Sequence, residues 1–280
     1  MRSILLFLII AVASSAQTSS AQTKKHDPTS PDPNMKRAIA ARDTVFIEEL
    51  TWMEVRDAIK AGKTTAIIAT GGVEMNGPYV ATGKHNYVLR ATTEAIARKL
   101  GNTLVAPIVP FVPEGSIEPP TSHMRYPGSI SVRDETFRMM LSDIARSLKA
   151  GGFKHIILIG DSGGNVKGMH AVAAELSKQW KGVTIHHIPE YYNYAGAKKW
   201  LADNGVKEVD EGHHDDYAME SQIATVDPNL IRATERQAAG KFSINGVNLA
   251  PIDKTIAMGK RLVNYRAEVT AAAIKKALGQ

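Results

Sequence analysis

Carboxylates and imidazoles of the kind used in metal binding and proton transfer follow predicted buried strands of this sequence. Glu74 lies just beyond the apolar residues 64–70. A Glu at a strand exit can ligate a metal or act as a base, but it can equally be a turn or helix-cap carboxylate. Its role therefore depends on which other polar groups the fold brings beside it.

The stretch 160–165 (GDSGGN) follows another apolar run and precedes a predicted helix. Three of its letters fit the G-x-S-x-G nucleophile elbow, in which Ser162 would attack the substrate. Its first five letters match the serine segment of trypsin-like proteases, but those enzymes are all-β and disulfide-rich, and this chain has no Cys. Such a turn also suits close substrate approach, with backbone amides directed at an anion. On that basis Gly163, Gly164 and Asn165 are predicted to contact substrate.

Two further loops carry imidazoles. His123, within residues 119–129, could bind substrate or shuttle a proton, and Arg125 could bind an anionic substrate group; both could equally be surface residues. Residues 211–217 (EGHHDDY) crowd four potential ligands at a helix start, where Asp215 or Asp216 could instead cap the helix. Neighbouring imidazoles rarely point at one ion, and His214 is the predicted ligand of the pair.

Aromatic side chains follow the last predicted strand, in residues 191–194. Tyr192 is predicted to line the mouth of a pocket and stack on a ring-shaped substrate. Aromatic residues at this position could equally lie at a subunit interface.

These loops connect strands and helices that alternate along the chain, which indicates a parallel sheet. Because the strands are continuous apolar runs, they are expected to be covered on both faces, giving a three-layer α/β/α fold with a mainly parallel central sheet. Ligands of such sheets bind beyond the carboxyl ends of the strands, where the polar loops stand. Strands are predicted at 64–70, 104–111, 154–159 and 183–188, and helices at 51–61, 87–100, 134–150, 165–180, 195–202, 215–226 and 258–277.

The first residues have the order of a secretory signal: Arg2, then the apolar run 4–13, then small residues that allow cleavage after Ala16 or Ala21. A permanent N-terminal anchor is the alternative. We predict a signal peptide at 1–21, a disordered leader at 22–40, one α/β domain at 41–280, and a periplasmic or secreted location. No later segment is apolar enough to span a membrane, so no stable membrane insertion is expected after cleavage.

The composition limits the chemistry and the partners. Without Cys, thiolate catalysis is excluded, and a metal must be held by His, carboxylate or amide groups. The formal net charge of +6 is spread over helix faces, without the basic runs and interleaved aromatics of a nucleic-acid groove. A small-molecule substrate is therefore predicted, and no nucleic acid.

In this order, the polar segments resemble the motifs of the creatininase (creatinine amidohydrolase) family, over nearly all of the mature chain. Residues 71–79 and 83–85 are similar to the family's G-x-x-E-Q-H-G-P-H and G-T-D motifs, and residues 123–129 to H-x-x-F-P-G-T. Residues 160–165 correspond to N-G-H-G-G-N, and 214–221 to H-A-G-x-x-E-T-S. The resemblance implies a layered α/β hydrolase, commonly a hexamer, whose divalent metal pair activates water against a cyclic amide or other non-peptide C–N bond.

The sequence departs from these motifs at the implied ligands. Asn76, predicted to contact substrate, stands in place of a His, His85 in place of the Asp, Ser162 in place of another His, and Met219 in place of the late Glu. A rearranged site is expected, with one Zn or Mn ion rather than two. Its predicted ligands are Glu74, His85, Asp161 and His214.

Three functions follow. The leading hypothesis is an exported metal-dependent hydrolase of a small amide or cyclic amide, with Glu74 and Asp161 at the catalytic centre and His123 or Asp215 delivering the proton to the leaving nitrogen. The second is a metal-free serine hydrolase with Ser162 as nucleophile, His213 or His214 as base, and Asp161 or Asp215 orienting that base. The third is a non-catalytic solute-binding protein. A homo-oligomer is expected in each case.

Overall fold

The computed structural model describes residues 29–280, so the predicted signal peptide at 1–21 lies outside the described residues. Residues 29–39 form no helix or strand. Ala40–Gln280 forms one compact unit, which carries all the secondary structure discussed below. None of the helices in the described part combines the length and the apolar character needed to cross a bilayer.

The secondary structure alternates as the sequence predicts and continues into a helical C-terminal part. The first helix begins with a capping box in which Thr51 and Glu54 satisfy each other's backbone amides. The helices are α1 Trp52–Lys60, α2 Lys84–Leu100, α3 Asp134–Ala150, α4 Asn165–Gln179, α5 Tyr194–Asp203, α6 Tyr217–Ala224, α7 Ala233–Ala238 and α8 Ile252–Ala277. The strands are β1 Thr65–Thr70, β2 Thr103–Val105, β3 His155–Gly160, β4 Thr184–His187, β5 Ser243–Ile244 and β6 Val247–Asn248.

The central sheet has four parallel strands in the order β2-β1-β3-β4. Successive side chains of a strand point to opposite faces, so both faces of β1 are apolar. Ala66 and Ile68 pack into the core formed with α3 and α4. Ile67 and Ala69 pack into the core formed with α2 and α8. The predicted three-layer α/β/α fold with a parallel sheet is confirmed.

Several element boundaries differ from the predicted ones. The strand predicted at 104–111 ends at Val105, because Pro107 and Pro110 have no amide hydrogen for a ladder. The remaining residues of the predicted strand form no further ladder and contribute an isolated bridge between Thr70 and Val109. Helix α2 begins at Lys84, so His85 lies in its first turn rather than in a loop. Helix α7 and the antiparallel pair β5–β6 were not predicted.

The sheet register brings the chemically interesting loops together. Thr70 and Gly160 are register partners at the ends of β1 and β3, so the two following turns start side by side. Asn165 fixes them to each other, because its Nδ2 donates to the carbonyl oxygens of Thr70 and Gly71 at 3.1 and 2.9 Å. A Cβ at Gly72 would collide with Glu114 Oε1, so the turn before Glu74 requires a glycine. The polar residues predicted from sequence therefore meet at one edge of the sheet.

Candidate functional site

Glu74 lies at the centre of this edge, with its carboxylate buried. Its Oε1 is hydrogen-bonded to one side chain and ion-paired with another, both from the first turn of α2. His85 Nε2 is 2.9 Å away, and Lys84 Nζ is 3.2 Å away. The Lys84 ammonium also donates to the carbonyl oxygen of His214 at 3.1 Å, which ties the loop before α6 to the same carboxylate.

A row of buried ionic groups extends from Glu74 into the protein. His85 Nδ1 is 2.8 Å from Asp161 Oδ2, at the end of β3. The other oxygen of Asp161 accepts from Tyr194 Oη at 2.7 Å and from Arg266 Nη2 at 2.9 Å. We call Glu74, His85, Asp161 and Arg266 the ionic row; each of its carboxylates is partnered by cationic groups, as buried charges require.

The electrostatics of the row favour its charged form. Burial alone would raise the pKa of Glu74, but the hydrogen bond and charge of His85, and the charge of Lys84, hold this pKa well below its usual value. Burial is likewise outweighed at Asp161, whose pKa is lowered by Arg266 and His85. Burial would lower the pKa of His85, but its hydrogen bonds to Asp161 and Glu74 raise it. Two carboxylates therefore enclose an imidazolium.

Two further imidazoles face Glu74 from the cavity side. His123 Nε2 lies 3.5 Å from Glu74 Oε2, and His214 Nδ1 lies 3.7 Å from Oε1 and 3.1 Å from the carbonyl oxygen of Met75. The two rings stack with centroids 4.7 Å apart. Burial and the charge of Lys84 lower the pKa of His214, which favours the neutral imidazole needed for metal binding. We call His123 and His214 the cavity imidazoles.

Glu74 and the cavity imidazoles form a group whose potential ligand atoms all lie within 4.8 Å of one another. Within residues 29–280, it is the one group of three or more such residues that could hold a metal ion. One carboxylate and two imidazoles are the donor set of several catalytic zinc sites, which leave a coordination position open for water. The chemistry of these donors therefore fits a divalent ion.

Two of the four predicted ligands lie in this group, two lie outside it, and the group contains one residue that was not predicted as a ligand. Glu74 and His214 were predicted as ligands and lie in the group. His85 and Asp161 were also predicted as ligands, but both ring nitrogens of His85 and both oxygens of Asp161 are engaged within the ionic row. His123, which was predicted to bind substrate or move a proton, lies in the candidate group; its place in a family-like motif was the signal in the sequence.

The residues predicted for other catalytic roles also line the cavity. Ser162 is buried, and within residues 29–280 its Oγ makes no hydrogen bond to an imidazole, so the hydrogen-bonded nucleophile–base pair of a serine hydrolase is not formed there. His213 reaches only Glu211, at 3.9 Å. Burial and the neighbouring Glu220 raise the pKa of Asp215 to about 9, which makes it a neutral carboxylic acid near pH 7.

The residues predicted to contact substrate occupy three kinds of position. Gly163, Gly164 and Tyr192 line the cavity. Asn165 instead fixes the two turns, and Asn76 donates to the carbonyl oxygens of Glu74 and Ala81, so these amides hold loops rather than substrate. Arg125 is exposed, donates to the carbonyl oxygen of Ser122 and does not line the cavity.

Three residues that sequence reasoning did not select also belong to this region: Lys84, Tyr194 and Arg266. Lys84 directly precedes His85 in the sequence, and its position next to a candidate ligand could have indicated that it belongs to the site. Arg266 lies on α8, 105 residues from the Asp161 that it contacts, and nothing local in its sequence indicates that contact.

The cavity itself has a volume of about 850 Å³, within the range of small-molecule sites. Beside the metal-ligating group it is lined by hydroxyls, lysines and carboxylates, and by few apolar side chains. Its polar lining includes Ser162, Tyr192, Tyr194, Lys198, Lys207, Glu208, Asp210 and Asp216. Such a lining suits a small polar substrate.

Comparison with known proteins gives a consistent result. Residues 48–272 match the model of the family described as creatininase, creatinine amidohydrolase. A 3-dehydro-scyllo-inosose hydrolase of Thermotoga maritima is 28% identical over 119 residues, which is 42% of this chain and 36% of that relative. The chain thus matches little more than a third of the length of this curated relative.

Solved structures resemble the fold over most of its length. A creatinine amidohydrolase (creatininase) has a TM-score of 0.56 and 20% identity, covering 85% of this chain and 98% of its own. A manganese creatininase has a TM-score of 0.59 and 18% identity, covering 85% and 100%. A putative creatinine amidohydrolase from Bacteroides fragilis has a TM-score of 0.57 and 17% identity, covering 84% and 98%. Because the family model extends over the whole sheet and every loop of the site, from residue 48 to residue 272, the chain belongs to the creatininase family of amidohydrolases.

Proposed function

We propose that this protein is a metal-dependent hydrolase that cleaves an amide, a cyclic amide or a similar non-peptide C–N bond of a small molecule. The observation that carries the proposal is the convergence of Glu74, His123 and His214 in the lining of one cavity. Family membership supports it, because the family is described by an amidohydrolase activity.

The contacts of Glu74 favour one ion rather than two. Its Oε1 is hydrogen-bonded to His85 and ion-paired with Lys84, whereas Oε2 faces His123, so Oε2 is the oxygen that we assign to a metal. The residues that would hold the ion are Glu74, His123 and His214, and Zn or Mn suits this donor set. A bound ion would supply Lewis acidity and lower the pKa of water toward neutrality.

The surrounding residues have separate tasks in this proposal. Lys84 and His85 hold the Glu74 carboxylate in one orientation by donating to its Oε1. Asp215, protonated near pH 7 and facing the cavity, donates its proton to the leaving nitrogen. Tyr192 and Tyr194, edge to face at 5.3 Å, provide aromatic walls against which a ring can pack.

The first test is metal content. After loading with Zn or Mn and removal of excess, elemental mass spectrometry is expected to find about one ion per chain, because one open three-ligand site is present. Glu74→Gln and His214→Ala should each remove it. His170→Ala is the matched control, since His170 is an exposed imidazole on α4 outside the group. Full activity of chelated, metal-free protein would contradict the proposal.

The second part of the test is turnover. Creatinine is the first compound to assay for C–N cleavage, because the family is named for it. The substrate named for the Thermotoga relative, 3-dehydro-scyllo-inosose, has no C–N bond, so its turnover instead of creatinine's would contradict the proposed bond type. Loss of turnover on chelation and recovery with added metal are expected for a true substrate. Export to the periplasm or medium, and assembly into a homo-oligomer, stay predictions from the sequence that cell fractionation and light scattering would measure.

A further inference from the structure

The turn between β3 and α4 presents a helix N-terminus without a side-chain cap to the cavity, and no hydrogen bond from the backbone amides of Gly163 or Gly164 to a carbonyl oxygen is seen in the described residues. Helix α4 has 15 residues, and its N-cap position, Gly164, makes no side-chain capping hydrogen bond. The first amides of a helix have no acceptor within the helix and carry partial positive charge. Gly163 and Gly164 both line the cavity, so this end of the helix borders the space available to a substrate.

Ser162 gives a second and independent indication of a ligand. Its side chain is 8% exposed and lines the cavity. In the described part of the chain its Oγ has no hydrogen-bond partner, although hydroxyls in such surroundings normally have one. A group bound in the cavity can therefore supply a partner for this hydroxyl. In the family motif this position carries a His, so the hydroxyl is a particular feature of this chain.

The shape of the turn leaves its backbone accessible. A Cβ at Gly164 would lie 2.8 Å from the carbonyl oxygen of Pro113, and a Cβ at Gly163 would lie 3.1 Å from Tyr192 Oη. The Pro113 carbonyl and the Tyr192 hydroxyl leave little room for a side chain at these positions, whereas the two glycines themselves are exposed. The preceding Asp161 would repel an anion if its charge were free, but Arg266, Tyr194 and His85 already hold both of its oxygens.

We propose that Ser162 and the backbone amides of Gly163 and Gly164 form a subsite for a carboxylate group carried by the substrate. The inference rests on the proposed function, since it assigns a substrate class to the same cavity: small amides or cyclic amides that bear a carboxylate. The hydroxyl and the amides donate to the carboxylate oxygens, while the bond to be cleaved lies toward Glu74 and the cavity imidazoles.

Acetate and its neutral counterpart acetamide test the subsite directly. In metal-free protein labelled with ¹⁵N-glycine, acetate is expected to shift the amide resonances of Gly163 and Gly164, and acetamide is not. Ser162→Ala should weaken acetate binding by about tenfold, the usual effect of one hydrogen bond to a charged group. Ser162→Asp should abolish binding by charge repulsion. Ser177→Ala, at the other end of α4, is the matched control and should bind acetate like the unchanged protein.

The outcomes separate the subsite from the proposed function. If acetate shifts these amides only in zinc-loaded protein, the carboxylate binds the metal. If acetate binds Ser162→Ala as well as it binds the unchanged protein, the carboxylate binds elsewhere. Either result overturns the subsite while metal binding stands. If metal loading fails but acetate binds metal-free protein with the expected dependence on Ser162, the subsite is supported and the proposed function is overturned.

Discussion

The two sides of Glu74 differ in how their polar groups are satisfied. On the inner side, the ionic row is buried and every charge meets an opposite charge or a hydrogen-bond donor. On the outer side, the side chains of His123 and His214 are 26% and 44% exposed and lie 3.5 and 3.7 Å from the carboxylate. The inner groups are fixed by each other, and the outer ones have room for a ligand.

This difference separates residues that position from residues that bind. A buried charged group that is already paired gives up contacts with its partners when it turns to coordinate an ion, which is costly. We therefore expect His85 and Asp161 to orient Glu74. The cavity imidazoles can turn toward an ion without that cost. The comparison predicts that inner substitutions change stability first, whereas outer substitutions change metal binding first.

The largest effect is expected from Asp161→Asn. It leaves the buried guanidinium of Arg266 without its counter-ion and removes one of the two carboxylates beside His85. The free energy of unfolding of the metal-free protein should therefore fall by about 3–5 kcal/mol, measured by urea denaturation. Asp203→Asn is the matched control, because Asp203 pairs with Lys199 on the surface and should change stability by less than about 1 kcal/mol. An Asp161→Asn protein of normal stability that fails to bind zinc would show that Asp161 is a ligand after all.

An intermediate effect is expected from the pH dependence of stability. Burial and the charge of Glu74 raise the pKa of Glu114 from 4.5 to about 9. A group whose pKa is raised by folding stabilises the protein fully below its unfolded pKa, and this contribution is lost as the pH rises through the folded value. The free energy of unfolding should therefore fall between about pH 4.5 and 9, by at most about 1.4 kcal/mol per pH unit from this group.

Glu114→Gln tests this contribution, since the amide resembles the neutral acid and cannot ionise. Denaturation curves across this pH range should show a shallower decline for the variant, which becomes the more stable protein at alkaline pH. Glu118→Gln, on the exposed part of the same loop, serves as the control. An unchanged pH slope in Glu114→Gln would mean that Glu114 is already ionised in the folded protein.

The smallest effect on stability is expected from His214→Ala. Without metal, the free energy of unfolding should change by less than about 1 kcal/mol, because the side chain is partly exposed and its partner is a single carbonyl oxygen. The metal should matter more: zinc should raise the melting temperature of the unchanged protein, and chelation should reverse this. The variant should show no such rise. A zinc-induced rise of normal size in His214→Ala would remove this residue from the donor group.

Short-range patterns predicted most of the fold. The strand ending at Thr70 and the helix beginning at Asn165 were each indicated by apolar runs and turn residues within a few positions. The failures occurred where local patterns compete: the apolar residues 104–111 look like one strand, but the prolines among them end the ladder after Val105. Helix α7 was too short to leave a periodic signal.

The sequence alone determined that the chain is a layered α/β protein of this family and that polar loops meet near Glu74, because strand periodicity and ordered motifs are local properties. Only the tertiary structure decided which imidazoles face the cavity. That choice depends on Arg266, which reaches Asp161 from 105 residues away, and on the early start of α2, which turns His85 inward. Long-range ion pairing of buried groups leaves no local pattern, so spacing could not reveal it.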